Sequence, residues 1–145
     1  MKYEKFFNTC DVIIQKGKKI VLVERGQEPF KGMVELPGGH MDKKETIEHA
    51  AIREALEETN LKVKLQNIFG VYSGPKRDPR GPTVTTVFLA KPIGGKLKAG
   101  SDAKIGFWCD VKKIPFRKMA FDHSEILRDY LKWKKKKGTY WSSKT

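Results

Sequence analysis

Residues 39–61 read GHMDKKETIEHAAIREALEETNL. From Lys44 to Thr59 the run contains no Gly or Pro and is rich in strong helix formers, so it predicts a helix, with Thr46 or the polar residues before it capping the start. Asn60 stands where such a helix ends in the left-handed conformation, which Asn tolerates better than most residues. Residues three and four apart share a helix face, and this places Glu54, Glu57 and Glu58 within roughly a 100° arc. Ala51, Ile52, Ala55 and Leu56 fall on the adjoining side and are expected to seat the helix on a sheet. Ala50 falls on the carboxylate face one turn earlier, where its small side chain leaves room for a ligand.

Three carboxylates so placed repel one another by ~0.2–0.5 kcal/mol per pair. They also face the negative end of the helix dipole. Both penalties vanish if a divalent cation sits among them, and clustered oxygen ligands suit Mg²⁺ or Mn²⁺. The competing reading is a solvated helix face neutralised by Arg53 and Lys62. Zinc spacing is absent, since His40 and His49 show no partner in the sequence and the two cysteines, Cys10 and Cys109, each lie in a strand-like apolar stretch. Buried, reduced thiols are expected there.

Around this helix the pattern is mostly β. Residues 4–15 and 19–24 alternate in apolar content about the turn QKGKK, which predicts a hairpin. A polar loop, ERGQEPFKG, leads to the short apolar run MVEL and then Pro37-Gly38-Gly39. Strands are expected at 61–72 and at 83–90, separated by SGPKRDPRGP (73–82), whose three prolines and two glycines exclude a helix. IGFWCDV predicts a late strand, and residues 120–135 an amphipathic helix with Ile126, Leu127, Tyr130, Leu131 and Trp133 apolar. One domain is expected over residues 1–136, with a short, basic, flexible tail over 137–145. Strands and helices interleave irregularly, which predicts an α/β or α+β sandwich with a mixed sheet.

Gly39, Glu45, Arg53, Glu54, Glu57 and Glu58 hold six of the seven fixed positions of the Nudix box, GX5EX7REUXEEXGU, and the chain therefore resembles the Nudix hydrolase family. The seventh position, usually Gly, is Asn60, a mild departure because it asks for left-handed backbone. The resemblance implies the Nudix fold, a mixed β-sheet sandwiched between α-helices, and hydrolysis of a nucleoside diphosphate linked to another moiety. In the family's terms Glu57 and Glu58 hold the metal, Mg²⁺ with Mn²⁺ as the alternative, and the Gly38 carbonyl is a further ligand. Glu54 is either another ligand or the base that activates water. Arg53 orients the carboxylates, and Glu45 supports the loop–helix geometry.

Three further stretches, 28–39, 70–90 and 120–131, resemble the ADP-ribose pyrophosphatase branch, which implies conversion of ADP-ribose to AMP and ribose 5-phosphate. Arg25, Lys76, Arg77 and Arg80 are candidates to contact phosphate or a terminal ribose, Arg being suited to bidentate contact. Phe30, Tyr72 and Phe121 are candidates to stack on adenine. Many relatives carry a glutamate before the aromatic pair of the late strand; Ile105 stands there, with Asp102 the nearest acid, which leaves the base to Glu54 or to a loop residue. His123 reads as a helix-cap residue. Homodimerisation is a family expectation only.

The formal charge of +13, from 30 Lys and Arg against 17 Asp and Glu, favours phosphate-bearing partners. It admits nucleic acid as a partner, but the resemblance favours a small nucleotide. No stretch reaches the ~20 apolar residues of a membrane helix. MKYEKFFNTCDVII lacks a signal-peptide pattern, so a cytoplasmic protein is expected. Rival readings are an oxidised nucleoside triphosphate (8-oxo-dGTP type) pyrophosphohydrolase, a dinucleoside polyphosphate or RNA-cap hydrolase, and an ADP-ribose-sensing regulator. The regulator reading conflicts with the intact box and with the ten or so residues after the last helix, too few for a DNA-binding domain.

Overall fold

A computed structural model describes residues 4–98 and 105–144. Phe7–Lys16 (β1) and Lys19–Glu24 (β2) form the expected hairpin, joined by Gly17 and Lys18 with Lys16 opposite Lys19. Gly17 supplies the positive φ that so tight a turn needs, at 59°. Val34–Glu35 (β3) and Gly38–His40 (β4) are short strands that bring the diglycine to the sheet. The helix α1 (Ile47–Thr59) leads into Leu61–Tyr72 (β5), and Thr83–Gly95 (β6) runs back along β5. Ile105–Asp110 (β7) then reaches α2 (His123–Lys135) through two short 3-10 turns, and Tyr140–Trp141 (β8) closes the fold.

The sheet is mixed, in the order β3-β2-β1-β6-β5-β8, with β4 on β1 and β7 on β2. β1 lies at its centre, parallel to β6 and antiparallel to β2 and β4. Its residues Cys10–Ile14 are buried on both faces, as the near-continuous apolar run requires. Alternation divides them between two cores. Ile13, with Ile20, Leu22, Phe69 and Leu89, packs against Ile126, Leu127 and Tyr130 of α2. Cys10, Val12 and Ile14, with Val21, Phe88 and Ala90, pack against Ala50, Ala51 and Ala55 of α1. One helix therefore covers each face, the sandwich expected from the sequence.

Both cysteines are buried and free, and burial, with the Asp11 carboxylate adding to it, pushes the Cys10 thiol up to about 12. Among the described residues no helix is long and apolar enough to cross a membrane.

Three expectations need correction. The seat of α1 is Ala50, Ala51 and Ala55, all fully buried, whereas Ile52 and Leu56 are 40% and 43% exposed. Small side chains let the helix backbone come close to the sheet, and the rotation that achieves this turns the bulkier pair outward and fills the room expected beside Ala50. α2 begins at His123, three residues later than expected, because Phe121 has φ 52° and interrupts any helix. The C-terminal segment is not loose: β8 pairs in parallel with Gly70 and Val71 of β5.

Candidate active site

α1 is held at both ends by the residues that its sequence nominated. Thr46 accepts from the His49 amide at 3.1 Å, and Asn60 ends the helix at φ 63°, its own amide donating to the Leu56 carbonyl at 2.9 Å. The stripe that faces the sheet continues from the alanines to Glu58 and Thr59, both buried. Glu58 is carried under the diglycine, where Gly38 N–H donates to its Oε1 at 2.9 Å. Glu54 abuts Gly39 so closely that a Cβ on Gly39 would lie 2.5 Å from the Glu54 carboxyl carbon. The side chain of Glu57, one position outward, is 51% exposed.

Arg53 ties the carboxylates together. Its Nη1 donates to Glu54 Oε1 at 2.9 Å and to Glu57 Oε2 at 3.2 Å. Its other two nitrogens bond Glu45 at 3.1 and 2.6 Å, and Nη2 also reaches the His40 carbonyl at 3.0 Å. Glu45 in turn accepts from the Asp42 amide at 2.9 Å and meets His49 Nδ1 at 2.7 Å. The sequence showed no partner for His49, because this one lies a helical turn back, across the cap. Arg53 first, then the Asp42 amide and His49, hold the Glu45 carboxyl down to about 2.

Among the described residues, no three of His, Cys, Asp and Glu converge closely enough to enclose a metal ion as they stand. The donor set nevertheless fits a hard divalent cation: it is all oxygen, and one cationic nitrogen, Arg53 Nη1, already lies within hydrogen-bond reach of two of the three carboxylates.

The cluster meets an open cleft of roughly 200 Å³ at Gly38 and Gly39. Its floor is polar and buried: Asp11 from β1, Glu35 from β3, Thr83 and Thr85 from β6, and His123 from α2. His123 Nδ1 accepts from the Leu36 amide at 3.0 Å, which leaves the proton on Nε2, 3.4 Å from Asp11 Oδ2. His123 thus bridges the strand before the diglycine to α2 and is no mere cap residue. Sequence reasoning passed over Asp11 and Glu35, although a signal existed in each: an acid inside an apolar strand, CDVII and MVEL, is costly unless a site or a partner receives it.

The rim of the cleft carries Arg25, His40, Arg77, Asp78, Arg80 and Phe121. Arg25 Nη1 is paired with Glu35 at 2.6 Å, both side chains buried, and its Nε donates to the Pro29 carbonyl at 2.7 Å. Arg77 is equally committed, with Nε and Nη2 on Asp122 at 2.9 and 2.7 Å and Nη1 on Thr85 Oγ1 at 2.7 Å. Arg80 is about half exposed and, among the described residues, pairs with Asp78, two residues away on the same loop, whose side chain is 8% exposed. Lys76 is exposed and does not border the cleft.

The aromatic candidates separate likewise. Tyr72 is fully buried, with its hydroxyl donating to Asp129 at 2.7 Å, so it cannot stack on a base. Phe121 lines the cleft, with the Arg25 and Arg80 guanidiniums 4.9 and 5.5 Å from its ring centre. Phe30 packs edge-on against it at 4.8 Å from outside the cleft. Both phenylalanines have positive φ, 63° and 52°, a strain that non-glycine residues keep where the surroundings enforce it. Ile105 begins β7 opposite Glu24, 53% exposed and away from the cleft, and Asp102 lies outside the described residues.

A NUDIX domain model matches residues 6–130, most of the chain. The chain belongs to the Nudix family. An ADP-ribose pyrophosphatase of Methanocaldococcus jannaschii is 49% identical over 124 residues, 86% of this chain and 72% of that one. Among solved structures, a NUDIX hydrolase from Nitrosomonas europaea superposes with a TM-score of 0.84 at 25% identity, covering 97% of this Nudix chain and 78% of that one. A bifunctional NMN adenylyltransferase/ADP ribose pyrophosphatase from Francisella tularensis, complexed with AMP and a Mn ion, superposes at 0.78 with 30% identity, over 91% of this chain and 43% of that one.

Proposed function

We propose that this Nudix hydrolase cleaves the diphosphate of ADP-ribose, with water attacking phosphorus to yield AMP and ribose 5-phosphate. The observation that carries the reading is the cleft at Gly38 and Gly39, with a carboxylate cluster behind the diglycine and Arg80 and Phe121 on the rim. The 49% identity to an ADP-ribose pyrophosphatase supports the choice of substrate.

Glu57 and Glu58, with the Gly38 carbonyl, would hold Mg²⁺, or Mn²⁺ in its place, which leaves Glu54 as the base. When bound, the cation neutralises the charge that develops on the diphosphate. Glu54 takes the proton of the attacking water on its carboxylate. Arg53 holds Glu54 and Glu57 in place, and Glu45 holds Arg53. Arg80 turns from Asp78 to the diphosphate: its guanidinium is about half exposed, and the Arg80 amide still satisfies Asp78 at 2.9 Å. Adenine stacks on Phe121. One domain over residues 1–136 contains this whole machinery and works as a homodimer in the cytoplasm. Dimerisation rests on the family resemblance, and light scattering at assay concentration tests it.

The deciding experiment is a substrate panel with Mg²⁺: ADP-ribose, dinucleoside polyphosphates, NADH and oxidised nucleoside triphosphates. ADP-ribose is expected to turn over best, with release of AMP, and Glu57→Gln to abolish that turnover. A preference for triphosphates, or activity untouched by Glu57→Gln, overturns the reading.

A further inference from the structure

The end of the chain is tied to the root of the loop that borders the cleft. β8 lies against β5 at a place shaped for it: a Cβ on Gly70 would fall 2.1 Å from the Tyr140 carbonyl oxygen. Phe69 stacks on the Tyr140 ring, 5.3 Å between centres and 9° from parallel. Lys144 Nζ donates to Asp129 Oδ2 and to the Trp141 carbonyl, both at 2.7 Å. The same Asp129 oxygen accepts the Tyr72 hydroxyl at 2.7 Å, and Asp129 is only 2% exposed. Ser142 Oγ accepts from the Ser73 amide at 2.8 Å. Ser73 is the first residue of the 73–82 loop, which carries Arg77, Asp78 and Arg80 to the cleft.

We propose that residues 140–144 are a strap that positions the 73–82 loop, so that docking of the C-terminal segment sets the affinity of the cleft for its diphosphate substrate. The strap lies beyond the 6–130 stretch of the family match, which therefore does not account for it. The far end of the loop is held on β1, where the Phe7 amide donates to the Pro82 carbonyl at 3.0 Å, and two further anchors hold its middle and its root. Arg77 ties its middle to Asp122 and Thr85, and the strap ties its root through Ser142 and the Tyr72–Asp129–Lys144 chain of contacts. With the root released, Arg80 samples more positions, and binding substrate must then order it at a cost in affinity. Gly70 is what a strap needs from β5. In a strand interior glycine weakens the sheet, and here it admits another backbone.

The inference rests on the reading of the cleft as the ADP-ribose site, and the test separates the two. Wild type, Ser142→Ala, Ser142→Thr and Gly70→Ala are compared by steady-state kinetics on ADP-ribose with Mg²⁺ and by hydrogen exchange at amides 73–82. Ser142→Ala removes one anchoring hydrogen bond and is expected to raise KM about threefold or more with kcat within about twofold. Ser142→Thr keeps the accepting oxygen and restores KM. Gly70→Ala expels Tyr140 and is expected to raise KM further and to speed exchange across 73–82. If Gly70→Ala does not fold, the Ser142 pair carries the test. Unchanged KM and unchanged exchange on loss of the Ser142 oxygen, or a fall in kcat that merely follows a lower melting temperature, overturns the strap. If wild type fails to turn over ADP-ribose, the functional reading falls alone; faster 73–82 exchange in Ser142→Ala, reversed in Ser142→Thr, still supports the strap's hold on the loop, and its absence refutes it.

Discussion

Replacing Gly39 by alanine separates the carboxylate site from the fold. Gly39 has no positive φ, so its backbone suits any residue, and in a strand alanine is favoured over glycine by ~0.5–1 kcal/mol. The obstacle is Glu54, whose carboxyl carbon and two oxygens would lie 2.5, 2.5 and 2.7 Å from the new Cβ. Ordinary contact begins at 3.4 Å, so the carboxylate must retreat by about 1 Å, which its flexible side chain can do. That movement strains the 2.9 Å bond from Arg53 and takes Glu54 out of line with the cleft. A 1 Å misplacement of a catalytic group costs on the order of 10²-fold in rate. Gly39→Ala is therefore expected to melt within a few degrees of wild type and to lose roughly 100-fold in kcat on ADP-ribose, read by AMP release. Gly38→Ala is the contrasting control. Its Cβ would meet backbone, 2.0 Å from the Cys10 carbonyl oxygen, so the β1–β4 pairing must open at about 1–3 kcal/mol. A Gly39→Ala enzyme with kcat within threefold of wild type would refute the placement of Glu54 in the reaction.

The acid limb of stability reports Glu45. Its carboxyl is held at about 2 against an ordinary 4.5, so its contribution is present above pH 4.5 and is lost as pH falls from there towards 2. Glu45→Gln should flatten that part of a melting-temperature profile, and an unchanged profile would contradict the Arg53–Glu45 anchor. Arg77→Met breaks a pair whose side chains are only 5% and 13% exposed, and should cost about 3–5 kcal/mol in urea denaturation. Lys76→Ala, at an exposed position, should stay within ~0.5 kcal/mol and leave KM unchanged. Mg²⁺ at about ten times its dissociation constant should stabilise the fold by ~1.4 kcal/mol, a gain that Glu57→Gln diminishes, as calorimetry can measure.

How much of this was legible in the sequence depended on the distance between a residue and its partners. Thr46 and Asn60 act within a few residues of themselves, and both ends of α1 were readable. Spacing alone brought Glu54, Glu57 and Glu58 to one face. Half of the expected seat of the helix holds, Ala51 and Ala55; Ile52 and Leu56 were suggested by their bulk, whereas close approach to the sheet favours Ala50 in their place. Arg77 looked like its neighbours Lys76 and Arg80, but its partner Asp122 is 45 residues away and only the folded sheet brings them together. Tyr72 stands next to the basic loop in sequence, yet strand alternation sends it to the core, where Asp129 receives its hydroxyl. β8 was hidden by its two-residue length; its trace was Gly70, an unexplained glycine within a strand.

The arginines around the cleft show why a net charge of +13 says little about where phosphate binds. Arg25, Arg53 and Arg77 are each committed to a carboxylate, and withdrawing Arg25 or Arg77 would leave Glu35 or Asp122 without its guanidinium partner in a buried setting. Losing the partner of a buried charge costs about 3–5 kcal/mol, more than a single phosphate contact returns. Asp78 is also buried, at 8% exposed, and Arg80 differs in that its guanidinium is half exposed and its own amide stays behind as a donor to Asp78. Arg25 and Arg77 line the cleft, Arg53 holds the carboxylates behind the diglycine, and of these four arginines Arg80, on a loop anchored at Ser73 and Arg77, has the guanidinium most open to a substrate. On the reading proposed above, substrate affinity depends on how that loop is held more than on how many positive charges the surface carries.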